Sequence, residues 1–124
     1  MSKKVLIVDD EPNVAISVEF LMRQEGFEVL VAHDGEQGLA RIRGDRPDLV
    51  VLDIMMPKLD GFEVCRAVRA DPSLAGVRIL MLSAKGRAAE IAKGLSLGAD
   101  AYIPKPFSTR ELVAKVKELL GTES

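Results

Sequence analysis

Two four-residue runs, Val5-Leu6-Ile7-Val8 and Leu49-Val50-Val51-Leu52, are apolar at every position. A strand with one face in water alternates apolar and polar side chains, whereas a strand that is apolar throughout has to be covered on both faces. Such strands occur in parallel sheets sandwiched between helices, so the intervening segments must be long enough to hold a helical crossover. They have that length and that pattern. Pro12 suits a first helical turn, and Val14, Val18, Leu21 and Met22 recur at helical spacing until Gly26 stops the helix.

The pattern then repeats. Phe27 to Ala32 reads as a second strand, and Gly35 to Arg43 as a helix with Leu39 and Ile42 inward; Gly44 and Pro47 punctuate before the third strand at 49–52. Asp60 can cap a helix carrying Phe62, Val64, Cys65 and Val68 that ends before Asp71-Pro72. Val77 to Leu82 is a fourth strand, Ala88, Ile91, Ala92 and Leu95 line a fourth helix closed by Gly98, and Ala101-Tyr102-Ile103 is a fifth strand. Ser108, with Glu111 at the capping-box position, starts a last helix through Leu112, Val113, Val116, Leu119 and Leu120. Five alternations with short linkers predict right-handed crossovers and a three-layer α/β sandwich around a five-stranded parallel sheet.

At 124 residues the chain is expected to be a single domain over 1–124, with 121–124 a flexible tail or the start of a linker. One cysteine, Cys65, excludes an internal disulfide. A formal net charge of −2 and the lack of a long basic run give no reason to expect direct binding to nucleic acid or to an anionic membrane. The apolar run after Met1-Ser2-Lys3-Lys4 stops at Asp9, short of the roughly 7–15 apolar residues of a secretory signal or the roughly 20 of a spanning helix. A soluble, cytoplasmic protein is expected.

In open parallel sheets, ligands bind outside the carboxyl ends of the strands. After the first run come Asp9, Asp10 and Glu11, after the third Asp53, after the fourth Ser83 and after the fifth Lys105. The second ends at Ala32-His33-Asp34-Gly35 and adds no matching group. Three aspartates gathered within a few ångströms repel one another and raise each other's proton affinity. A hard divalent cation compensates, and Mg²⁺ typically takes a few carboxylates together with water and phosphate oxygens. Lys105 adds a second positive centre and Ser83 a neutral donor. Cation, ammonium and hydroxyl around one carboxylate form a cradle for a phosphoryl group carried on it. Singly, these residues are ordinary: an Asp after a strand commonly serves a turn, and a Ser a local hydrogen bond. Their joint placement at four strand ends is the signal. His33 lacks the second ligand a metal site needs and reads as a loop residue, Cys65 as a small core residue, and Glu11 as a first-turn acid suited to the helix dipole.

The motifs Val8-Asp9-Asp10-Glu11, Asp34-Gly35, Pro47 through Pro57 around Asp53, Asp60-Gly61-Phe62, Leu82-Ser83-Ala84 and Gly98 through Phe107 span essentially the whole chain. Together they resemble the receiver domain of bacterial two-component response regulators, chemotaxis receivers included. The resemblance implies a flavodoxin-like (βα)5 fold with sheet order 2-1-3-4-5, a phosphorylation-dependent signalling switch, and a phosphoacceptor rather than an enzyme with a separate substrate. It implies Asp53 as acceptor of a phosphoryl group from a histidine kinase, Lys105 as its counter-charge, and Ser83 and Tyr102 as switch residues. Mg²⁺ is implied on Asp10, Asp53 and the backbone carbonyl of Met55, with Asp9 reaching it through water, and the Lys105-Pro106 bond is implied to be cis. Met55 and Lys85 hold positions that flank the path of attacking water, and an apolar Met55 is expected to lengthen the life of the phosphate.

The same resemblance places a kinase or phosphotransfer partner beside the first helix and the loop after the fifth strand, at Val14, Ser17, Pro106 and Phe107. It allows a homodimer through the fourth helix, fifth strand and fifth helix, with Lys93, Asp100, Glu111 and Lys115 as matching charges, although Ile91 and Ala101 depart from that pattern. A haloacid-dehalogenase-like phosphatase would need an Asp-x-Asp after the first strand and room for a cap domain. A flavin carrier would need a first loop that welcomes phosphate, which Asp9-Asp10-Glu11 repels. A receiver that only binds partners would not need every chemical position filled. The sequence leaves the output domain, the kinase and the stimulus unnamed.

Overall fold

The computed structural model describes residues 3–56, 58–84 and 88–121. Five strands, β1 (Lys4–Val8), β2 (Glu28–Ala32), β3 (Leu49–Asp53), β4 (Arg78–Ala84) and β5 (Ala101–Lys105), alternate with five helices. These are α1 (Pro12–Gln24), α2 (Gly35–Asp45), α3 (Gly61–Ala70), α4 (Ala88–Ser96) and α5 (Thr109–Leu120), with a 3₁₀ turn at Pro72–Leu74. The sheet runs β2-β1-β3-β4-β5, and every pairing is parallel. The expected order is therefore observed.

The uninterrupted apolar runs behave as two-sided burial requires. Leu6, Val8, Val50, Leu52, Ile79 and Met81 meet Leu39 and Ile42 of α2 and Val64, Cys65 and Val68 of α3. Their alternate neighbours Val5, Ile7, Leu49, Val51, Leu80 and Leu82 meet Ala15, Val18 and Met22 of α1 and Leu112 and Val116 of α5. The central strands β1 and β3 are buried from Val5 to Val8 and from Leu49 to Asp53. Capping follows the side chains: Asp60 and Glu63 form a reciprocal capping box on α3, and the Ser108 hydroxyl accepts from the Glu111 N–H on α5. Lys117 of α5 pairs with Glu25 at the end of α1, 2.6 Å apart.

Three features differ from expectation. Helix α2 runs through Gly44 to Asp45 instead of stopping at Arg43, because the turn is made at Arg46 in the left-handed region. The fourth and fifth strands run further, so Ser83, Pro104 and Lys105 are paired strand residues, with Ser83 opposite Pro104 and Ala84 opposite Lys105. Parallel pairing with a neighbour carries a strand through residues whose own pattern does not announce it. Pro104 is tolerated because β5 is an edge strand. The apolar stripe of α4 also does not face the core. Gly94 is its buried residue, while Ala88, Ala92 and Leu95 are exposed and Ile91 is half-buried. A Cβ on Gly94 would lie 2.6 Å from Met81 Sδ, so α4 approaches the sheet through its smallest residue and leaves the apolar side chains outside. The Lys105–Pro106 bond is cis. The tail residues 122–124 and Lys85 lie outside the described residues.

Candidate functional site

Register brings the acidic residues level. Val8 pairs with Leu52, so the next residues, Asp9 and Asp53, end neighbouring strands side by side; Asp53 pairs in turn with Leu82, one residue before Ser83. Asp9 is fully buried, Asp53 is 4% exposed and Ser83 is 2% exposed. Asp10 is exposed at the rim. Carboxylate oxygens of Asp9, Asp10 and Asp53 all lie within 4.8 Å of one another. From β5, Lys105 Nζ reaches Asp9 Oδ2 at 3.3 Å, Asp53 Oδ1 at 3.4 Å and Glu11 Oε1 at 3.2 Å. The structure thus gathers Asp9, Asp10, Asp53 and Lys105 at one edge of the sheet, with Ser83 on the adjacent strand. Tyr102 is apart from them, 37% exposed on β5 opposite Met81.

Backbone packing fixes the strand that carries Asp53. A Cβ on Gly61 would lie 2.7 Å from the Asp53 carbonyl oxygen and 2.8 Å from Ile54 Cα, so the start of α3 presses directly on the end of β3. The Gly61 N–H also donates to the Ile54 carbonyl at 2.9 Å. On the other side of the loop, Lys58, with φ of 69°, pairs with Asp34 at 3.6 Å. Asp34 caps α2 by accepting from the Gln37 N–H, which holds its carboxyl below the usual range.

The electrostatics follow from this crowding. Burial and then the charge of Asp9 push the Asp53 carboxyl up to about 6, against the opposing pull of Lys105 and the Met55 amide. Burial disfavours charge on Lys105, but Asp53, Asp9 and Glu11 outweigh it and hold its ammonium above the ordinary lysine range. One ammonium does not neutralise the gathered carboxylates. A hard cation bound by oxygen is what the donor set fits, and softer metals that prefer nitrogen or sulfur find no ligand of their kind among the three.

Beside the acidic pocket lies a cleft of about 680 Å³ lined by Glu11, Val14, Ser17, Leu21, Asp53, Met55, Lys105, Pro106 and Phe107, among others. Met55 is 64% exposed there. Four of these are the residues expected to meet a partner. The contact between Glu11 and Lys105 was not legible in the sequence: the Glu11 carboxylate makes no capping bond and turns to the ammonium instead. Cys65 is buried with its thiol near the Leu97 carbonyl, a core residue as expected, and burial raises its pKa. His33 is exposed at the β2 exit. Among the described residues, no helix is long and apolar enough to cross a membrane.

Residues 5–117 match the family model described as the response regulator receiver domain. Over 120 residues the chain is 45% identical to the alkaline phosphatase synthesis transcriptional regulatory protein PhoP of Bacillus subtilis, covering 97% of this chain and 49% of that protein. The chain spans about half the length of the curated relatives it matches. A putative response regulator from Chloroflexus aurantiacus superposes with a TM-score of 0.94 at 38% identity, covering 98% of this chain and 99% of that one. The receiver domain of the sensor histidine kinase PA1611 from Pseudomonas aeruginosa, solved with a magnesium ion in its active-site cleft, superposes at 0.89 and 28% identity over 98% and 99% of the two chains.

Proposed function

Since the chain belongs to the response regulator receiver family, a phosphoacceptor rather than a classical enzyme, we propose that Asp53 is its acceptor and that Asp9, Asp10, Ser83, Tyr102 and Lys105 serve it. The acidic pocket of Asp9, Asp10 and Asp53 is of the kind typical of magnesium-dependent aspartyl phosphorylation. The observation that carries the residue assignment is the placement of buried Asp53 between Asp9 and the Lys105 ammonium. In this reading Asp10, Asp53 and the Met55 carbonyl hold Mg²⁺, with Asp9 acting through water. When bound, Mg²⁺ supplies positive charge against the equatorial phosphoryl oxygens.

The chain's own groups do the rest. An Asp53 carboxylate oxygen attacks phosphorus in line, the bond from phosphorus to the donor histidine nitrogen breaks, and the electron pair leaves with the imidazole. Lys105 balances charge on the transferred group and Asp53 needs no general base, because it reacts as a carboxylate. The phosphoaspartate then carries nearly two negative charges, enough to draw the Ser83 hydroxyl and Lys105 towards it. Tyr102 turns inward from solvent as Ser83 moves, which changes the face made by α4, β5 and α5. Exposed Met55 at the cleft mouth shields the acyl phosphate from water. Met55→Asn is therefore expected to shorten its lifetime severalfold in a dephosphorylation time course, and an unchanged lifetime would remove Met55 from this role.

Receiver domains partner with histidine kinases, and the cleft at Val14, Ser17, Pro106 and Phe107 is the proposed docking site for the kinase or phosphotransfer domain. A homodimer through α4, β5 and α5 is a separate proposal. It has fewer free charges than its sequence pattern promised, because Asp100 is held by Arg69 at 2.9 Å and Lys115 by Glu118 at 3.4 Å. A single receiver unit over 1–124 in the cytoplasm completes the reading. Incubation with acetyl phosphate followed by intact-mass measurement tests it. A gain of one phosphoryl group that requires Mg²⁺ and is absent in Asp53→Asn is expected. A folded wild type that gains nothing and does not bind beryllofluoride would end the assignment.

A further inference from the structure

The Lys105 ammonium is contested. An ammonium has three N–H donors, and three carboxylates stand within ion-pairing distance of this one: Asp9 at 3.3 Å, Glu11 at 3.2 Å and Asp53 at 3.4 Å. Asp9 and Asp53 are buried, whereas the Glu11 side chain is 60% exposed at the cleft mouth. Asp9 belongs to the acidic pocket and Asp53 is the acceptor. The Glu11 carboxylate belongs to neither group, although the Glu11 N–H donates to Asp9 Oδ1 at 2.9 Å. Nor is its position a by-product of helix capping, because its carboxylate makes no capping bond to the first turn of α1.

A phosphoryl group arriving on Asp53 draws on an ammonium that the resting protein shares with Asp9 and Glu11. We propose that Glu11 is a positioning residue that holds Lys105 towards the cleft mouth, so that breaking this pair is part of the barrier to phosphorylation. The inference rests on the assignment of Asp53 and Lys105 made above. It makes reactivity adjustable at an exposed residue which touches neither metal nor phosphoryl group.

The test compares wild type, Glu11→Gln and Glu11→Asp in saturating Mg²⁺. Two quantities are measured: the rate constant for phosphorylation by acetyl phosphate, followed by intact mass, and the affinity for beryllofluoride, by calorimetry. Glu11→Asp keeps the charge but withdraws the carboxylate by one methylene, beyond reach of Nζ. Both variants are expected to raise the rate constant and tighten beryllofluoride binding by about two- to fivefold, the range of a partly exposed ion pair. A gain confined to Glu11→Gln would reflect net charge near an anionic donor and would overturn the positioning role. Wild-type or weaker values from either variant in either measurement would also overturn it. A folded wild type that neither gains a phosphoryl group nor binds beryllofluoride would sink the acceptor assignment itself, which separates the two failures.

Discussion

Asp53 is buried beside a second buried carboxylate, and the protonation that follows affects the fold as well as the chemistry. Its carboxyl sits at about 6 in the folded chain against 3.8 for a free aspartate. Between those values the folded state binds more protons than the unfolded state, so stability falls as pH rises through the window and stays lower above it. Asp53→Asn removes this effect. In metal-free buffer the variant is expected to be more stable than wild type at pH 7.5, by about 1–3 kcal/mol, with the advantage shrinking towards pH 4. Urea unfolding with chelator at the two pH values checks this, and equal differences at both would contradict it. The aspartates and Lys105 could be found from sequence because strand ends converge whatever the side chains do. Glu11 could not, since its partner is set by a rotamer choice between a helix dipole and an ammonium brought from the far end of the chain.

At the scale of elements, the alternation of apolar runs and helical stripes was enough to place all ten main segments. What it missed lies where one element leans on another. The ends of β4 and β5 extend through Ser83 and Lys105 because each strand pairs with its neighbour, and α4 meets the sheet at Gly94, close against Met81, with its apolar side chains outward. The approach of α3 to β3 is tighter still. Gly61→Ala would set a methyl group against the Asp53 carbonyl and Ile54 Cα, which are backbone atoms without freedom to step aside. A loss of about 1–3 kcal/mol in denaturant unfolding is expected, together with weaker Mg²⁺ binding, because the atoms displaced belong to the strand end that carries Asp53. Lost stability with unchanged metal affinity would show that α3 supports the fold without positioning the site.

For the whole molecule, the strand order places the site. The chain leaves β1 for β2 on one side and continues to β3 on the other, and Asp9, just after β1, and Asp53, the last residue of β3, lie at this reversal. Because the acidic pocket is assembled only in the folded chain, Mg²⁺ is expected to raise the unfolding free energy by about 3 kcal/mol at a hundredfold excess over its dissociation constant. Thermal unfolding across a Mg²⁺ series, with Asp10→Asn as a non-responding control, measures this; a wild type insensitive to Mg²⁺ would contradict it. Pro104 sets a further condition at the sheet's outer edge. It gives β5 one amide hydrogen fewer than a strand needs to recruit another in register, so a continuous backbone seam cannot be laid along that side. Any molecule that settles there has to recognise protruding groups such as Tyr102, and its grip should be altered by their size and charge rather than by the alignment of two chains.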